Sequence, residues 1–171
     1  MKRRPIFWGL ALLMLSAVAS FAGAHDSWIS TKAKISLLTT EGVSVTAVNV
    51  DTVDGNVTLH GKVKSEAEKE KAESAVRNID GVKSVKNLLQ VVPEAFKEEV
   101  KASDEAIKGK IQTSLKSGAG LEDVKVASVN DGVVLLSGKT KTMDQKLRAV
   151  ESAWSVSGVK RVATEIETNE K

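Results

Sequence analysis

The side chains best able to do chemistry are two histidines, His25 and His60, in a chain with no cysteine and no tyrosine. A histidine at a free N-terminus chelates copper or nickel through its imidazole and the amine together. His25 would hold that place if the chain were cut after Ala24, but a dedicated site wants a second strong ligand. The only other histidine, His60, falls on a hairpin strand, where an exposed, non-ligating role is expected. Acid–base catalysis would need carboxylates gathered at one point. Here Glu66, Glu68, Glu70 and Glu73 alternate with Lys69 and Lys71, the pattern of a solvated helix face. No serine has a base and an orienting group near it in sequence. We therefore expect no catalytic residue, no metal, no cofactor and no enzymatic activity.

The leader decides how charge is read. Residues 1–24 open with Lys2, Arg3 and Arg4, continue through an apolar run from Ile6, and close on Ala22-Gly23-Ala24. That order is expected of a secretory signal peptide with an A-x-A cut after Ala24; an uncleaved anchor is the other reading. The whole chain carries a net charge of +3. The leader holds three basic residues and no acid, so the remainder is neutral. A neutral secreted chain has no electrostatic case for nucleic acid. Without cysteine it has neither a disulfide nor a lipid-attachment thiol. A periplasmic location is expected.

The elements that position these residues come in duplicate. "DGNVTLHGK" at 54–62 returns as "DGVVLLSGK" at 131–139, and residues 54–90 align on 131–167 without a gap. Of the 37 pairs, 13 are identical, which marks a tandem duplication. Each copy predicts helix, strand, strand, helix, strand. Asp26 is the N-cap candidate of a helix to about Leu38, with Ile29, Ala33 and Leu37 on one face. Val48, Val50 and Thr52 alternate on a strand, Asp54-Gly55 suits a tight turn, and the return strand stops at Gly61. "SEAE" from Ser65 resembles a capping box. The helix it opens buries Ala72, Ala75, Val76 and Ile79 and ends at Gly81, before a last strand over 82–91. Gly132, Gly138 and Gly158 repeat Gly55, Gly61 and Gly81. Val124 and Val126 sit one residue out of phase with Val48 and Val50, which a bulge would explain. The expected boundaries are a leader at 1–24, units at 25–92 and 104–171, and a linker, helical in one reading, at 93–103.

These residues carry a family resemblance. "D-G-x-V-x-L-x-G", a charged Ala-rich helix and "G-V-x-x-V" resemble the BON domain in both copies. "AESAVRNIDGVKSVKN" at 72–87 is similar to a periplasmic type of that family with a signal peptide and two copies of the domain. The resemblance implies an α+β fold of two αββαβ units, each a three-stranded mixed sheet on two helices. It also implies a non-enzymatic envelope role in phospholipid or membrane-surface binding, with a protein-binding or chaperone-like module as the alternative.

Two sets of residues are candidates for such contacts. Lys62, Lys64, Lys139, Lys141, Lys160 and Arg161 recur at matching places and would favour an anionic headgroup surface, if they are not simply solubilising. Leu147, Val150 and Trp154 replace Glu70, Glu73 and Arg77 of the first copy and form a stripe at i, i+3, i+7. Three readings stay open for it: packing against the first unit or the linker near Phe96, a lipid or partner-protein surface, and ordinary core.

Overall fold

A computed structural model describes residues 19–169, with side chains from His25 onward. Most of the expected leader lies outside the described residues. The first unit comprises α1 (Ala19–Thr39), β1 (Val48–Val53), β2 (Asn56–Val63), α2 (Glu66–Arg77), β3 (Ser84–Asn87) and β4 (Gln90–Val91). The second comprises α3 (Lys97–Ser117), β5 (Val124–Asn130), β6 (Val133–Thr140), α4 (Met143–Trp154) and β7 (Arg161–Thr168). In each, an antiparallel hairpin continues into a parallel partner, giving the mixed sheet of an α+β fold. Alternation along the hairpin sends Val57 and Leu59, or Val134 and Leu136, onto the two helices.

Both hairpin turns have two central residues at positive φ: Asp54 (51°) and Gly55 (78°), Asp131 (46°) and Gly132 (73°). This is the turn whose twist matches the flanking strands. A carboxylate from the first helix holds each turn. Asp26 accepts from Asp54 N and Gly55 N at 2.7 and 2.8 Å, and Asp104 accepts from Asp131 N and Gly132 N, both at 2.9 Å. Asp26 is thus not the N-cap of α1, which begins upstream of it, and the expected cut after Ala24 falls within that helix.

Several boundaries differ from expectation. Gly61 does not stop β2. It lies inside the strand, where a Cβ would meet Ala47 O at 2.0 Å. Helix α2 ends at Arg77, and Gly81 (φ 95°) belongs to the following turn. The last strand of the first unit is broken at Leu88-Leu89, because these neighbours bury in different clusters, Leu89 in the unit's own core and Leu88 outside it. The expected bulge is present between Val126 and Ser128, where β5 carries one extra residue. Helix α3 starts at Lys97, within the expected linker.

Candidate interaction surfaces

Each sheet has one face on its helices, and the other faces meet. Thr58, His60 and Leu88 of the first unit lie buried, and Leu88 clusters with Leu135, Ala163 and Ala127 of the second. The molecule is therefore layered helices, sheet, sheet, helices. One side of this contact is closed: β5 approaches β2, the Asn130 side-chain amide lies 3.3 Å from Gly61 N, and Lys62 Nζ lies 2.8 Å from Asp104 Oδ2. The other side opens into a cleft of about 1150 Å³ lined by both units.

At the inner wall of the cleft sits His60. It is only 7% exposed, contrary to the exposed role expected, because the second sheet covers it. Its Nε2 is 3.1 Å from Asp51 Oδ2, and its Nδ1 is buried without a partner. The His60 hydrogen bond holds the Asp51 carboxyl below its ordinary range, against the opposing effect of burial. Glu165 is pushed up by burial, although a hydrogen bond with Thr58 works the other way. Among the described residues no cluster of three or more His, Cys, Asp or Glu could hold a metal ion. Glu68, expected on a solvated face, is 6% exposed and accepts from Ser44 N and Lys64 N at 2.6 and 2.9 Å. It satisfies backbone donors, and Gln145 does the same for Lys141 N at 2.8 Å in the second copy.

The stripe on α4 divides. Val150 packs against its unit's core, whereas Leu147 is 55% and Trp154 51% exposed. Since α4 lies on the outer layer, the first unit does not cover them, and Phe96 is itself exposed. Sequence reasoning passed over a comparable stripe on α1, where Trp28, Ile35 and Leu38 are exposed. The spacing i, i+7, i+10 in "WISTKAKISLL" was the available signal.

The six basic candidates do not make one patch. Lys62 pairs with Asp104 between the units, Lys139 with Glu167 at 3.1 Å, and Lys160 with Asp131 at 2.7 Å. Lys64, Lys141 and Arg161 are exposed. Arg161 stands opposite Val133 at one end of β6, and Lys139 stands six residues further on, a separation of about 20 Å. Gly55, Gly61 and Gly81, with their repeats Gly132, Gly138 and Gly158, all have positive φ and serve the backbone.

A duplicated αββαβ chain whose sheets meet back to back, with apolar stripes left on its outer helices, defines a tandem α+β module. The BON domain model matches residues 25–93 and 103–170, and the chain belongs to the BON domain family. It is 35% identical over 147 residues to the osmotically-inducible protein Y of Escherichia coli K12, covering 84% of this chain and 72% of that one. Among solved structures it resembles the C-terminal domain of CdsD, a structural protein of the type III secretion system of Chlamydia trachomatis, at 16% identity and a TM-score of 0.33. That match covers 81% of this chain and 63% of the other. A second structure of the same protein gives 13% identity and a TM-score of 0.35, covering 81% and 90%.

Proposed function

We infer that this is a non-enzymatic periplasmic protein, released from its leader, that binds anionic phospholipid surfaces peripherally and supports envelope integrity under osmotic stress. The observation that carries this reading is the half-exposed pair Leu147 and Trp154 on α4, at positions where the first copy has Glu70 and Arg77. Trp and Leu on one helix face suit the headgroup boundary of a bilayer. Lys141 precedes α4 and stands beside the stripe, whereas Arg161 starts β7 on the face that Ala163 turns to the first unit. A lysine there would contribute about 1 kcal/mol near an anionic surface. No helix among the described residues is long and apolar enough to cross a membrane, which fits surface contact. The relative's name ties that protein to osmotic induction, and the same stress context is proposed for this chain.

Vesicle flotation tests the reading. The wild-type chain should float with phosphatidylglycerol vesicles, less so as salt rises, and not with phosphatidylcholine alone. Leu147→Glu/Trp154→Arg should abolish flotation while keeping the melting temperature. Wild-type protein that stays at the bottom with both vesicles sinks the proposal. A protein-binding role is the second reading, favoured by Trp28, Ile35 and Leu38 on α1. That stripe lies on the opposite outer layer, out of reach of a flat surface touching α4.

A further inference from the structure

The repeat allows the two sides of the contact between the units to be compared pair by pair, and the two sides differ. On the closed side the groups that meet are Asn130 with Gly61 and Asp104 with Lys62, as the edge strand β5 settles against β2. Their counterparts across the repeat are Val53 with Gly138 and Asp26 with Lys139. All four of these line the cleft. Lys139 pairs with Glu167, and Asp26 binds its own turn. The surfaces that hold a strand on one side thus stand apart on the other.

What they leave uncovered is a sheet edge. β1 ends its sheet, and Asn49 to Val53 line the cleft without interruption. Val53 and Asn56 flank a two-residue turn and so exchange both ladder bonds. Alternation then gives the next bonded pairs as Asp51 with Thr58 and Asn49 with His60. Val50 and Thr52 direct their N–H and C=O away from β2, into the cleft. Among the described residues no side chain bonds to these groups, whereas single groups on the opposite edges are capped. Asn87 Oδ1 accepts from Leu89 N at 3.1 Å, Thr164 Oγ1 accepts from Ile166 N at 3.1 Å, and Lys146 Nζ donates to Ile166 O at 2.7 Å. An unblocked edge pairs with extended chain.

We propose that the cleft between the units binds an extended segment of a partner polypeptide, added as a strand to β1. Five carboxylates and three ammonium groups line the cleft, which favours a segment carrying Lys or Arg. The site is separate from the α4 stripe and does not depend on phospholipid binding.

Amide exchange on the full-length mature chain tests this, with a set of decapeptides alternating Val or Thr with Lys or Arg. A binding peptide should slow exchange of the Val50 and Thr52 amides by roughly tenfold or more. Ser137→Trp, which fills the cleft from β6, should weaken binding by roughly tenfold. Leu147→Glu/Trp154→Arg should leave peptide binding unchanged, even where flotation is lost. The proposal is overturned if no peptide of the set protects those two amides, or if a peptide binds while only α4 amides respond. Protection by phosphatidylglycerol vesicles in place of peptide also overturns it.

Discussion

Asp104 holds three partners with two oxygens: Gly132 N on Oδ1, and Asp131 N with Lys62 Nζ on Oδ2. Among the described residues, Asp26 holds the two turn amides and no lysine. Asp104→Ala strands buried donors and a cation, so it should cost about 3 kcal/mol in urea denaturation, against about 1–2 kcal/mol for Asp26→Ala. Equal losses would mean that Lys62 adds nothing. The glycines divide in the same way. A Cβ at Gly61 meets the backbone oxygen of Ala47 at 2.0 Å, which has nowhere to go, whereas at Gly81 it meets side-chain ends of His25 and Ile29 at 2.9 and 3.0 Å. Gly61→Ala should cost roughly 3 kcal/mol or more and Gly81→Ala about 1 kcal/mol. Acid stability divides Asp51 from Glu165. The lowered Asp51 pKa means its contribution is full above the ordinary value near 3.8 and fades as pH falls through the folded value. Asp51→Asn should therefore flatten the acid limb of the stability curve. Glu165 is raised, so its ionised form opposes docking above its folded pKa. Glu165→Gln should raise the melting temperature at pH 7 and lose that gain below about 4.5. At this scale the sequence was only partly legible. Asp26 and Asp104 recur ahead of each D-G turn, yet nothing local shows that a carboxylate on a helix reaches a turn 28 residues away.

The helices and hairpins were readable because each has a strong local cause: apolar period, turn residues at positive φ, and Ser65 accepting from Glu68 N as N-cap. The exceptions are places where a tertiary contact overrides the local pattern. Leu88 and Leu89 read as one strand until the second sheet claims Leu88. The closure of β7 at Ile166 was also unreadable, since Lys146 reaches Ile166 O from α4. Removing that closure with Lys146→Met and Thr164→Val should leave the fold intact while exposing a pairing edge. We expect concentration-dependent aggregation, measured by light scattering at a temperature where the melting curve is unchanged. A variant that stays monomeric shows the edge is protected otherwise.

For the molecule as a whole, the back-to-back contact sets how far each unit stands alone. Separation would uncover Leu135, which is 1% exposed, together with Leu88 and His60. Fragments 25–92 and 93–171 should each give a folded circular dichroism spectrum, with melting temperatures below that of the intact chain. The second fragment begins at Pro93 because a start at 104, the expected boundary, would remove the first two turns of α3. Two unfolded fragments would contradict modular folding. The cleft was invisible in the sequence, because a repeat specifies two similar units but not how they meet. Had the copies remained separate chains, a two-fold pair would place the same residues at both edges of its contact. Every mutation would then strike twice, tightening or loosening both edges together. Two copies in one chain are free of that restriction. Lys62 and Lys139 hold equivalent places in the repeat, yet a substitution at one leaves the other untouched, so the edge that joins the halves and the edge that stands open can be altered separately.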